Sequence, residues 1–129
     1  HLLHINKKLL KRGSCWYYIY FMIVYLISAE ISGSKLHKIG YTRRSIDKRI
    51  KEFKTGNASE FFVIESFKSK WGTKIESRLH KMFKDKQVNG EWFNLNEDDV
   101  VSFIGTCQVI HDNYELLSKS TYYLERGKF

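Results

Sequence analysis

With 129 residues, 43% of them hydrophobic and 16% aromatic, the chain can build one packed domain and is too short for two full ones, which excludes a disordered tail. A net charge of +8 and a pI near 9.5 point to a polyanion or an anionic surface as partner. Two cysteines, Cys15 and Cys107, far apart and without a CxxC pair, exclude a disulfide scaffold and a cysteine zinc site, and suit a reducing, intracellular compartment with both thiols free.

The first residues need separate treatment. "KKLLKR", then "CWYYIYFMIVYLI", then "SAE" imitates a secretory signal, but the apolar run is rich in tyrosine. As a membrane span it is too short, since about 18 residues are needed. The expected division is an appendage over 1–21, a core over 22–95 opening near Met22, and a helical extension over 96–129.

From Met22 to Ser28 the residues are apolar and partly β-branched, a buried strand. "SGS" at Ser32 to Ser34 is a turn, and "LHKIGY" from Leu36 to Tyr41 is a second strand. The two are expected to pair as an antiparallel hairpin with a loop of several residues. Gly40 allows close backbone approach. A helix follows with Ser45 as N-cap and Ile46, Ile50 and Phe53 at helical spacing, stopped by Thr55 to Asn57. "FFVIESF", Phe61 to Phe67, reads as a third strand, alternating or buried. Thr73 to Glu76 has the form of a capping box, and Ile75, Leu79, Met82 and Phe83 form the apolar face of a second helix. Asn89 and Gly90 make a turn before "EWFNL", a short strand or docking segment. Asn96 caps a last helix with Glu97, Asp98 and Asp99 in its first turn and a face of Val100, Phe103 or Ile104, Cys107 and Ile110. Beyond Tyr114 the expectation weakens, and the "RGK" ending is expected to fray. The order β-β-α-β-α, then a short strand and a helix, predicts an α+β fold: a small antiparallel sheet flanked by helices.

Charge is uneven along this order. Residues 35–86 hold 15 of the 22 Lys and Arg residues, whereas the stretch from Gln87 onward is net acidic. The middle is therefore the face for phosphates. Lys35, Arg43, Arg44, Lys48 and Lys51 read as phosphate contacts, which give affinity without sequence readout. Phosphodiester hydrolysis needs an activated water, a cation for the phosphate oxygens and stabilisation of developing charge. Tyr25, Lys38, Tyr41, Arg49, Glu76 and His80 supply suitable groups. Four of them also have a plain structural reading: Tyr25 as core, Arg49 as a solvent-facing helix residue, Glu76 as the third residue of a capping box, His80 as an ordinary helix histidine one turn beyond Glu76. Trp71 and Trp92 suit core packing or a lid better than base stacking.

Four segments in this order resemble the GIY-YIG nuclease superfamily, in the branch of phage and large-virus proteins whose second motif reads "KIG". They are "IVYLI" (Ile23 to Ile27), "HKIGYTRRSIDKRIKEF" (His37 to Phe53), "KIESRLHKMF" (Lys74 to Phe83) and "EWFNL" (Glu91 to Leu95). The resemblance covers about Met22 to Leu95. It implies that Tyr25 activates the attacking water, that Arg49 steadies the scissile phosphate, and that Glu76 binds a divalent metal, Mg²⁺ or Mn²⁺. Lys38 stands at the second tyrosine position, with Ile39 and Gly40 completing the triplet, and Tyr41 matches the hydroxyl that follows. The first triplet is "IVY" rather than one starting in glycine.

The reading is a metal-dependent endonuclease acting on DNA. The rival reading is a non-catalytic nucleic-acid-binding module on the same fold, with Lys38 marking lost chemistry. A third, a membrane-associated protein anchored by its basic and aromatic N-terminus, ranks below both, because the charge excess lies in the middle of the chain. A homodimer built on the acidic C-terminal helix is compatible with a catalytic module this small.

Overall fold

The structure is a computed structural model that describes the backbone of residues 7–12, 15–53 and 60–120, and the side chains of 21–52 and 60–120. Two strands, β1 (Lys7–Arg12) and β2 (Cys15–Tyr20), pair antiparallel as their own two-stranded sheet. The apolar run from Cys15 to Ile27 is thus divided at Phe21.

The main sheet begins with β3 (Met22–Ile31) and β4 (Ser34–Thr42), paired from Ile23↔Thr42 to Ile31↔Ser34. Their turn is Ser32 and Gly33 alone, at φ 53° and 82°. Two successive left-handed residues make the tight turn whose twist matches that of the strands. The loop is therefore shorter than the several residues expected from sequence. β3 is the central strand, and Val24, Tyr25, Leu26 and Ile27 are all fully buried. Next come α1 (Ile46–Phe53) and β5 (Phe61–Ser69), which pairs antiparallel with β3. β5 is an outer strand of the sheet, which corrects the expectation of an alternating or buried one: Phe62, Val63 and Ile64 are 55%, 42% and 37% exposed.

After β5 follow α2 (Gly72–Met82), a 3₁₀ turn (Lys84–Lys86), and the short strands β6 (Gln87–Asn89) and β7 (Trp92–Phe93). The five-stranded sheet has the order β5-β3-β4-β7-β6 and is antiparallel throughout. Two helices close the described chain, α3 (Glu97–Val101) and α4 (Phe103–Ser118). The architecture is α+β, as the sequence predicts. One core joins Val24, Leu26 and Ile39 of the sheet to Ile75 and Leu79 of α2 and to Phe103, Cys107 and Ile110 of α4. Each such fully buried aliphatic side chain contributes about 1.5–3 kcal/mol. Cys107 is a free thiol, and its burial pushes its pKa up to about 12.

Three local expectations are met and two are revised. Ser45 Oγ accepts the Lys48 backbone N–H at 3.3 Å, capping α1. Asn96 and Asp99 form a reciprocal capping box on α3. Ile75 and Leu79 face the core, while Met82 is half exposed. The capping box expected at Thr73 and Glu76 is absent, because α2 starts at Gly72 behind Trp71 and has no side-chain cap. Its start is fixed by the tryptophan instead. Ser69 Oγ accepts the Trp71 backbone N–H at 2.9 Å, and the indole N–H donates to Glu115 Oε2 at 3.0 Å. The last helix is two helices: Ser102 interrupts it, its hydroxyl donating to the Asp99 carbonyl at 3.2 Å. The helix stop expected at Thr55 to Asn57, the Phe53 side chain and the "RGK" ending lie outside the described residues.

Candidate active site

Register builds the first half of the site. Antiparallel pairing sets Tyr25 of β3 opposite Gly40 of β4. Gly40 has no side chain, and the Tyr25 phenol fills that space: a Cβ at residue 40 would stand 2.6 Å from Tyr25 Cζ and closer still to its hydroxyl. Any larger residue at 40 would overlap the ring. The same point lies 2.6 Å from Oε1 of Glu91, so phenol and carboxylate meet over one backbone atom.

The second half comes from α1. Arg49 Nε donates to the Tyr25 hydroxyl at 3.3 Å, and Arg49 Nη1 donates to Glu52 Oε1 at 3.0 Å. Glu52 also pairs with Arg44, so one exposed carboxylate bridges two guanidinium groups. Thr42 Oγ1 accepts the Arg44 backbone N–H at 3.0 Å and fixes the bend leading into α1. The hydrogen bond to Tyr25 raises the Arg49 pKa further, so its charge is permanent. Burial raises the Tyr25 pKa, against the Arg49 hydrogen bond and with help from Glu91, so the phenol keeps its proton at neutral pH.

Glu76 enters from α2. Its carboxyl is pushed up chiefly by burial; His80, Lys38 and Arg49 work against that shift and Glu91 adds to it. An open cleft of about 270 Å³ joins the parts, lined by Arg49 and Glu76 together with Tyr41, Thr42, Arg43, Arg44 and Glu91. The guanidinium of Arg43 lies 5.7 Å from the Tyr41 ring centroid. With no capping box on α2, the plain structural reading of Glu76 is removed, and its carboxyl faces this cleft instead.

The remaining sequence-predicted residues fall into two groups. Lys38 is at the edge of the cleft: its ammonium is 3.7 Å from Glu91 Oε2 and 5.5 Å from the Trp92 ring centroid. His80 acts as a strut, since its Nε2 bonds the Ile39 carbonyl at 2.8 Å and its ring meets Phe93 edge-on at 4.9 Å. That bond ties α2 to the "KIG" strand. Lys48 and Lys51 lie on α1 outside the cleft lining. Lys35 is at the far end of the hairpin, opposite Glu30. Trp71 stacks on Tyr114 at 5.6 Å, and Trp92 on Phe61 at 6.0 Å.

Sequence reasoning passed over Glu91. It was visible only as the first residue of "EWFNL", a short strand. Its position depends on β7 pairing with β4 at His37↔Phe93 and Lys38↔Trp92, and on the Ile39 N–H donating to the Glu91 carbonyl at 3.1 Å. The available signal was a carboxylate directly after an Asn-Gly turn in a strand start that the resemblance already included.

The sequence profile of the T5orf172 domain matches residues 22–108, well over half of the chain. The chain belongs to the T5orf172 family. That domain occurs in phage proteins and is associated with nuclease-type modules, so it points to a nuclease or nucleic-acid-binding role. The match runs from β3 into α4, and every residue of the cleft falls inside it. No curated protein and no solved structure matches the chain. Among the described residues no helix is long and apolar enough to cross a membrane, and no group of three or more His, Cys, Asp and Glu side chains is arranged to hold a metal ion.

Proposed function

We propose that this T5orf172 protein is a metal-dependent endonuclease of GIY-YIG type that hydrolyses phosphodiester bonds of DNA. The observation that carries the reading is convergence: a guanidinium from α1 and a carboxyl from α2 line one solvent-open cleft, and that guanidinium holds the hydroxyl of a buried phenol from β3. Random placement on a small sheet would send these three groups to different faces. Around them Arg43 and Arg44 add guanidinium groups to the lining, which suits a phosphate with its two unesterified oxygens.

In this reading Arg49 and Arg44 hold the phosphate oxygens. Tyr25, protonated and fixed by Arg49, orients the attacking water rather than binding as an anion. Glu76 would hold one Mg²⁺ or Mn²⁺. The donor set suits such an ion, because Mg²⁺ keeps several waters and is satisfied by one or two protein carboxylates, and no all-protein cage is needed. When bound, the ion would supply charge stabilisation at the departing oxygen. His80 and the "KIG" strand keep the cleft walls in register.

Plasmid nicking with Mg²⁺ or Mn²⁺ tests this, with Glu76→Ala and Arg49→Ala beside the wild type. Removing one electrostatic partner of the transition state is expected to cost about 10²–10³-fold in rate. Equal nicking by all three proteins would remove the mechanism. The rival reading, a binding module without chemistry, is favoured by one feature: Lys38, at the second tyrosine position, is engaged with Glu91 and Trp92. It expects tight, salt-sensitive DNA binding and no cleavage with either cation.

A further inference from the structure

We infer that Glu91 is the proton acceptor of this site, the general base that takes a proton from the attacking water. The inference rests on the endonuclease reading above and adds a residue to it. Four observations carry it. Glu91 lines the same cleft as Arg49 and Glu76. Its Oε1 and the Tyr25 hydroxyl crowd the same point over Gly40, so the carboxylate stands beside the phenol that Arg49 holds. Its backbone lies in the turn directly before β7, and its carbonyl accepts the Ile39 N–H at 3.1 Å, which ties it to β4. Its other oxygen, Oε2, is held 3.7 Å from the ammonium of Lys38, which is itself placed over Trp92.

Chemistry then divides the roles. A phenol that keeps its proton can point a water but has no room for a second proton. Glu76 is spoken for by the cation. Glu91 is the remaining carboxylate of the cleft, and a carboxylate can accept a proton in one step. Glu91 Oε1 removes one proton from water as the water oxygen forms its bond to phosphorus. The bond from phosphorus to the leaving sugar oxygen breaks, and that oxygen keeps the electron pair and takes a proton from solvent. Glu91 then returns its proton to solvent. Lys38 beside Oε2 leaves Oε1 over Gly40, beside the Tyr25 hydroxyl.

The test uses the full chain, a supercoiled plasmid, Mn²⁺ and a labelled oligonucleotide. For Glu91→Gln the nicking kcat is expected to fall about 10²–10⁴-fold, with oligonucleotide affinity unchanged or tighter. For Glu91→Ala, added formate is expected to restore part of the lost rate, because a small carboxylate can occupy the vacated space; formate should do nothing for Glu76→Ala. The assignment is overturned by Glu91→Gln nicking within about threefold of wild type, or by a Glu91→Ala loss that formate leaves untouched. Thermal unfolding of both variants separates a lost base from a lost fold, and formate rescue requires a folded protein. A wild type that nicks beside an equally active Glu91→Gln removes only the base. A wild type that binds DNA and never nicks it removes the endonuclease reading and the base together.

Discussion

At Gly40 the missing side chain brings a phenol and a carboxylate to one point. The backbone passes so close to Tyr25 and Glu91 that a methyl group would overlap both. Tyr25 cannot retreat, because it is fully buried on the central strand. Gly40→Ala is therefore expected to destabilise the fold by about 1–3 kcal/mol, the usual cost of overpacking. It should also abolish nicking, since the strain falls on the ring that Arg49 holds. Urea unfolding beside a nicking assay checks both halves. A Gly40→Ala protein as stable as wild type would mean that the phenol does not sit over residue 40. Gly33 makes the contrast: nothing lies within 4 Å of its Cβ position, and its need for glycine comes from its φ of 82°.

Two elements act on charge in ways that can be tested. On α1, Glu52 bridges Arg44 and Arg49, and its pKa is lowered first by its hydrogen bond to Arg49 and then by that to Arg44. Both arginines face the cleft, so Glu52 competes with an incoming phosphate for them. Glu52→Gln is expected to tighten oligonucleotide binding about threefold, within the range such exposed pairs reach. Asp47→Asn, the same charge change on the same helix, is the control and should do less; equal effects from the two would deny the competition. On α3, burial pushes Asp99 up, but the Lys86 ammonium and the Asn96 backbone N–H outweigh it and lower its pKa. A carboxyl with a lowered folded value stabilises fully above its unfolded pKa of about 4 and loses that effect as pH falls through the folded value. Asp99→Ala should thus cost about 1 kcal/mol at pH 7 and less at pH near 2, measured by urea unfolding; a constant difference would refute the linkage. Elements of this kind were legible from sequence when their signals were local. Ser45, Asn96, the Met22 to Ser28 strand and the Ile75–Leu79 face all depend on neighbours a few residues away. Tyr25, Arg49 and Glu76 were found through the order of their motifs. The start of α2 was missed because Ser69 and Glu115, far apart in sequence, anchor Trp71. Glu91 was missed because only the pairing of β7 with β4 carries it to Gly40.

Across the whole molecule the basic residues are collected rather than spread. Residues 35–86 carry 15 of the 22 Lys and Arg residues, and the part of that segment nearest the cleft presents Lys38, Arg43, Arg44 and Arg49. Against them stand Glu52, Glu76 and Glu91, so the cleft is a mixed field: cations to hold a phosphate, carboxylates to do work beside it. Binding to such a surface is driven by release of counterions from the nucleic acid. If about four phosphates are neutralised, the slope of log affinity against log salt should be near −3.6, and affinity should fall about 10²-fold between 50 and 200 mM salt. Arg43→Ala and Arg44→Ala should each reduce that slope by about one and weaken binding alike for unrelated sequences, because phosphate contacts carry no base information. Glu91→Gln should leave the slope unchanged, since it removes no phosphate contact. Fluorescence anisotropy over a salt series measures all four proteins together. A slope near zero in the wild type, or an Arg44→Ala defect confined to one sequence, would mean that the cationic cleft is not where the polyanion lies.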